Sequence, residues 1–207
     1  MIRPKTKLEL EIEAQEKRGI LLVVSGPSAG VGKDAIVKGL REKYPFERVV
    51  TCTTRGKRPG EIQGKDYDFI SKEEFEIRIR KGYFLEWVKY LDNYYGTPKK
   101  ETISKMRTGK DVLLRIEVRG AKVIKEALPE TVLVYIAPPS FETLEKRMEK
   151  RNDDTGSIAR KLQVAVWEIE QFDGFDYVVV NEEGKLDQTI EYVKMIVEAE
   201  RRKARNH

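Results

Sequence analysis

Leu21-Leu22-Val23-Val24-Ser25-Gly26-Pro27-Ser28-Ala29-Gly30-Val31-Gly32-Lys33-Asp34-Ala35 is the stretch that decides the fold. Four apolar residues ending at Ser25 predict a buried parallel strand, and Ala35, Ile36, Val37 and Leu40 open a helical apolar stripe. The glycines between them let the backbone turn tightly. Strand, glycine loop and helix start bring a lysine and free backbone N–H groups to one spot, which is how a phosphate loop binds polyphosphate. Two features depart from the usual G-x-x-x-x-G-K-[S/T] spacing. Five residues separate Gly26 from Gly32, the extra one placed at Ala29, and Asp34 stands where a magnesium-binding hydroxyl is expected. The alternative reading is a glycine-rich turn that binds nothing.

Outward from that loop, 207 residues suffice for one sizeable core with a smaller insertion or two. Charged residues make up 36% of the chain, and 40 Lys+Arg against 35 Asp+Glu leave a net charge of only +5, so most charges belong to a mixed solvated surface. The basic excess suits a small phosphate-bearing ligand. No Lys/Arg block interleaved with aromatics appears, which argues against nucleic acid. Cys52 and His207 are single residues of their kinds, so an intramolecular disulfide, a Cys/His metal cluster and a Cys-His or Ser-His nucleophile are excluded. No apolar run has membrane-spanning length, and Met1 to Gly19 is too charged for a secretory signal, so a cytoplasmic setting without membrane attachment is expected.

Along the chain, Lys7 to Lys17 reads as a charged helix within an N-terminal extension (1–18). After the loop helix, Arg48-Val49-Val50 predicts a short strand delivering Thr51 to the same sheet edge. Ser71 to Glu74 is a capping box for a helix to about Arg80 closed by Gly82, and 83–97 predicts strands around an Asp92-Asn93 turn. From Pro98 helices and strands alternate: helix 99–107, strand 112–116, helix 121–128, strand 132–136. That rhythm predicts βαβ units and a parallel sheet. Ser140 caps a helix carrying Leu144 and Met148, and a second helix over 158–169 completes a charged hairpin. Tyr177 to Val180 reads as a last buried strand and Leu186 to Ala199 as a terminal helix fraying into Arg201-Arg202-Lys203.

Three groups of residues carry chemistry. Arg55 and Arg58 lie three apart in a turn, and with the hydroxyls of Tyr67 and Tyr95 they suit a monophosphate. Glu86, in YFLEWV, is a carboxylate among apolar neighbours, expensive unless it receives hydrogen bonds; guanine offers N1–H and N2–H₂ side by side, whereas adenine presents an acceptor. The alternative is a pair with Lys89. In the hairpin, Arg147 and Arg151 share one helical face and Arg160 with Lys161 falls on the next helix, four cations able to neutralise a transferring phosphoryl group, or partners merely of Glu145 and Glu149.

With the loop, TTRGKRPGEIQGKDY (53–67) and NYYGT (93–97) in the same order and spacing, the chain resembles the guanylate kinases from about Ile20 to Val197. The resemblance implies an α/β fold: a P-loop NTPase-type parallel-sheet core (19–50, 99–139 and 172–207), a GMP-binding insertion (51–98) and a helical lid (140–171). It implies ATP and GMP as substrates, magnesium with ATP, direct in-line transfer, and a monomer or homodimer. The donor would lie on Gly26, Pro27, Ser28, Ala29, Gly30, Val31, Gly32, Lys33 and Asp34, with Asn181 near its adenine unless Asn181 is only a turn former. The acceptor would lie on Thr51, Arg55, Arg58, Tyr67, Glu86, Tyr95, Thr97 and Glu117, and Lys33, Arg147, Arg151 and Arg160 would be catalytic. Lys57 replaces a common proline, and Arg115-Ile116-Glu117-Val118-Arg119-Gly120 departs from the family's L-x-I-D-x-Q-G, where another acid often precedes the isoleucine. Asp34 would act on magnesium through a water or cap its own helix. Two rivals stand beside this reading: a related sugar-bisphosphate kinase, and a non-catalytic guanylate-kinase-like module that binds phosphoproteins.

Overall fold

The computed structural model describes residues 18–27, 30–149 and 155–205; the expected helix over 7–17 lies outside them. Strand β1 (Leu21–Ser25) is buried at every position because it is an interior strand of a parallel sheet. It pairs with β6 (Val112–Arg115) on one side and β7 (Val132–Ala137) on the other, and β7 carries β8 (Tyr177–Val180) at the edge. Side chains alternate between two apolar layers. Leu22 and Val24 join Ile36, Leu40, Val134, Ile136, Leu144 and Val193 on one face, while Leu21 and Val23 join Met106, Leu114, Ala121, Ile124 and Leu133 on the other. The first layer is roofed by α1 (Lys33–Lys43), α5 (Phe141–Glu149) and α7 (Leu186–Arg205), the second by α3 (Lys99–Arg107) and α4 (Val118–Ala127). Helix α6 (Thr155–Ile169) adds Ala165 to the first layer.

A second four-stranded sheet is built from residues 52–98 in the order β3 (Asp68–Phe69), β2 (Cys52–Thr53), β5 (Asn93–Pro98), β4 (Phe84–Tyr90). Only the β2–β3 pair is parallel. Phe75 of α2 (Lys72–Arg80) fills its apolar side, stacked on Phe84 at 4.4 Å and Tyr94 at 5.2 Å between ring centroids. The expected cap is present: Ser71 Oγ accepts the Glu74 N–H at 3.1 Å, and Gly82 at φ 62° lets the helix close.

Four expectations need correction. Arg48–Val50 is not a strand: the chain touches β6 at the Glu47–Val112 bridge and then turns to the second sheet, so the two valines record packing rather than a ladder. The β4–β5 turn falls at Leu91-Asp92, with Leu91 at φ 53°, and Asn93 is already paired with Tyr90. Strand β8 is an edge strand with Val179 buried and Val178 and Val180 about half exposed. Helix α7 does not fray at Ala199. Ile190, Val193 and Val197 continue one buried stripe to Arg201, whose guanidinium pairs with the buried Asp111 carboxylate, itself the acceptor of the Ile20 N–H.

Candidate active site

Parallel strands all end at the same edge, so the residues that follow β1, β6, β7 and β8 converge there. After β1 the chain enters the glycine loop. Gly26 has φ 136° and a Cβ there would lie 2.3 Å from the Ile136 carbonyl oxygen, so only glycine passes. Helix α1 starts at Gly32 without a side-chain cap, which leaves its first N–H groups facing the loop. Lys33 is buried and curls back, donating to the Gly26 carbonyl at 2.9 Å and to that of Pro27. Burial, then the neighbouring Arg115 guanidinium, lowers its pKa to about 8. Ser28 and Ala29 lie outside the described residues.

Asn181, just past β8, is buried beneath this loop. Its amide donates to the Val31 carbonyl at 2.9 Å and its carbonyl accepts from Thr189 at 2.9 Å. Arg147 of α5 reaches over the loop from the other side, donating to the carbonyls of Asn181 at 3.0 Å and Gly30 at 3.3 Å and pairing with Glu183 at 3.2 Å, not with Glu145 or Glu149. Arg151 lies outside the described residues, and Arg160 and Lys161 lie on α6 with their side chains outside them.

Arg115 is the last residue of β6, and Glu117 follows it just before α4. Glu117, at the start of α4, is pushed up to about 8 by burial and by Glu168, against the pull of Lys33 and Arg115. Arg115 lies 3.0 Å from Asp34 in the first turn of α1 and donates to Tyr67 Oη at 2.7 Å. Asp34 makes no cap to its own helix.

The second sheet brings its own groups to the same cleft. Glu86 is 3% exposed, and Thr97 donates to its Oε1 at 2.6 Å; no Lys89 pair forms. The other carboxylate oxygen, Oε2, is buried without a hydrogen-bond partner. Gly120 makes this burial possible, since a Cβ there would lie 2.6 Å from Oε2. Burial raises the Glu86 pKa to about 7, with Thr97 opposing. Arg55 lies under Tyr67 and Phe69, 5.4 and 5.5 Å from their ring centroids, and Tyr67 lies 6.2 Å from Tyr95. Its fork is held by Glu61 through two bonds of 2.7 and 2.8 Å, and Glu61 also accepts the Arg58 N–H at 2.8 Å. The Arg55 bonds hold the Glu61 carboxyl down at about 2. Arg58 itself is exposed. Thr51 is half-buried before β2, with its carbonyl accepting the Asp68 N–H at 2.9 Å.

Sequence reasoning passed over Glu61, Arg115 and Glu168. Glu168 was legible as an acid one helical turn after Ala165 on the apolar face of α6. It is 2% exposed, and its main-chain carbonyl accepts from Tyr135 at 2.8 Å. Glu61 offered only its place in a turn.

The guanylate kinase family model matches residues 18–200. A guanylate kinase of Lactiplantibacillus plantarum is 44% identical over 188 residues, covering 89% of this chain and 90% of that protein. One from Lactococcus lactis subsp. lactis is 45% identical over 186 residues, covering 89% of each. The crystal structure of guanylate kinase from Anaplasma phagocytophilum superposes with a TM-score of 0.74 at 31% identity, over 89% of this chain and 87% of that one. A matched model over most of the length, relatives well above 30% identity and a shared fold agree with the phosphate loop and the buried carboxylate: the chain belongs to the guanylate kinase family.

Proposed function

We propose that this chain transfers the γ-phosphoryl group of ATP directly to GMP, and to dGMP, giving GDP and ADP. The observation that carries the reading is the orphaned oxygen of Glu86. A buried carboxylate oxygen without a donor costs on the order of 1–3 kcal/mol or more, and the N1–H and N2–H₂ edge of guanine supplies two donors to one carboxylate. Thr97 and Thr51 complete the base pocket. The acceptor phosphate then falls to Arg55, Arg58, Tyr67 and Tyr95, and Glu117 stands between acceptor and loop. Residues 51–98 form the acceptor-binding insertion on a core of 19–50, 99–139 and 172–207.

The donor triphosphate lies along Gly26 to Asp34, cradled by loop N–H groups, with Lys33 turning from its own carbonyls to the β- and γ-phosphates and Asn181 shaping the loop beside it. Residues 140–171 act as the lid. Arg147, with Arg151 and Arg160, closes on the transferring group, and the residues' task is positioning and charge neutralisation, so no general base is required. Magnesium arrives as the chelate of ATP, supplying charge to the phosphates. Among the described residues the Asp34 carboxylate is engaged by Arg115, and no group of three or more His, Cys, Asp or Glu is placed to hold a metal. A cytoplasmic setting fits the buried free thiol of Cys52.

A coupled assay with ATP against GMP, dGMP, AMP, UMP and ribose bisphosphate tests this. Turnover with GMP and dGMP and none with AMP is expected. Preference for AMP or the bisphosphate would overturn the base assignment, and binding of GMP without turnover would point to a non-catalytic module, against which the retained Lys33 and Arg147 speak.

A further inference from the structure

Arg115 ties the donor side of the cleft to the acceptor side. One edge of its guanidinium is fixed by Asp34, in the first turn of the helix that follows the phosphate loop, at 3.0 Å from Nε. Its Nη2 donates to the Tyr67 hydroxyl at 2.7 Å. A phenol is both donor and acceptor, and which it offers a ligand depends on what already occupies it. Here a charged donor takes the oxygen's lone pair, so the proton of Tyr67 is left to be given away, and the incoming bond polarises that O–H. An anion needs donors. Tyr67 lies over Arg55 and beside Tyr95, in the pocket read above as the phosphate site of the acceptor. The charge of Arg115 is secure: burial opposes it, but Tyr67, Asp34, Glu117 and Tyr95 outweigh burial and hold its pKa above the ordinary value.

We propose that Arg115 is a positioning residue of the acceptor pocket: oriented by Asp34, it commits the Tyr67 hydroxyl to donate to the acceptor's phosphate. The residue after the loop lysine thereby serves the acceptor through two side chains, and two of the departures from the family pattern, Asp34 and Arg115, form one device. The inference rests on the GMP reading above and deepens it.

The test is calorimetric titration of GMP into the full chain with neither ATP nor metal present, for the wild type, Asp34→Asn, Arg115→Gln, Tyr67→Phe and the two double variants with Tyr67→Phe. Asp34 is exposed, so its amide variant leaves the fold intact, and thermal melts monitor the others. Arg115→Gln and Tyr67→Phe are each expected to weaken GMP binding about tenfold, and Asp34→Asn about threefold although it lies on the donor side. In the Tyr67→Phe background, Asp34→Asn and Arg115→Gln should add little, less than about twofold, because they act through the missing hydroxyl. Full additivity would show Arg115 acting on the phosphate directly, and unchanged GMP affinity in Asp34→Asn would cut the link; either overturns the proposal while the GMP reading stands. Should Arg115→Gln fail to fold, the Asp34→Asn and Tyr67→Phe cycle decides alone. A wild type that does not bind GMP would fail the functional reading itself and take the proposal with it.

Discussion

In the parallel sheet, β1 buries all five of its residues between two apolar layers, and Leu22, Val23 and Val24 are fully covered. In the second sheet the apolar filling is Cys52, Phe75 and Phe84, and beside it Thr53, Glu86 and Thr97 are buried polar groups. The first sheet is held by the transfer of hydrocarbon from water, at roughly 2 kcal/mol per buried aliphatic side chain. The second spends part of its interior on groups that weaken it when no ligand is bound. Such expense is expected where binding, rather than folding, supplies the missing partners. The loop edge of the parallel sheet shares this character: Lys33, Glu117 and Glu168 are desolvated ionisable groups that shift one another.

The contrast can be broken first at its catalytic edge. Lys33→Ala should lower turnover by about a thousandfold or more, on the order of 4 kcal/mol, while the melting temperature holds or rises because a buried cation is removed. Steady-state rates alongside calorimetric melts would check both halves, and a stability loss matching the activity loss would contradict them. In the apolar layer the balance reverses: Leu22→Ala should cost about 2–5 kcal/mol of unfolding free energy by denaturant titration, with the catalytic efficiency of the folded fraction preserved.

Glu86→Gln brings the comparison to the second sheet. Efficiency with GMP should fall by about 2–4 kcal/mol, since an amide presents a donor to a donor, while stability at pH 5 barely changes. A variant as efficient as the wild type would remove Glu86 from the base site. Acidity gives a finer test. The folded pKa of Glu86, about 7, lies above the ordinary 4.5, so its contribution to stability is complete below pH 4.5 and is lost as pH rises through about 7. The ligand-free protein should therefore melt lower at pH 8 than at pH 5, Glu117 adding with the same sign through about 8, and Glu86→Gln should flatten the profile. GMP binding requires the ionised form and moves the opposite way, so affinity should climb between pH 6 and 8 more steeply in the wild type than in the glutamine variant, where the acceptor phosphate and Glu117 still titrate. The smallest effect belongs to Ser71→Ala, which removes the cap of α2: about 1 kcal/mol of stability, with unchanged GMP affinity by titration calorimetry.

Short-range rules made most elements readable. The strand, loop and helix at Leu21 to Lys43, the Ser71 cap, the βαβ alternation after Pro98 and the helix at 99–107 follow from apolar periodicity, glycine and proline placement and capping chemistry, all written within a few residues of where they act. That Glu86 needs a donor was legible too, because a carboxylate inside an apolar strand demands one; that Thr97 supplies it emerged only in the fold. Tertiary structure alone decided what depends on residues distant in the chain. Val49 and Val50 look like strand residues, yet pairing needs a neighbouring ladder, and the chain leaves β6 after Glu47. The run Tyr177–Val180 carries no mark of being an edge, since exposure depends on which elements cover it. Arg201 is held by Asp111, 90 residues earlier, and Asp34 faces Arg115. A charged side chain states in sequence only that it needs a partner; with 75 charges in the chain, the fold's geometry chooses which partner it meets.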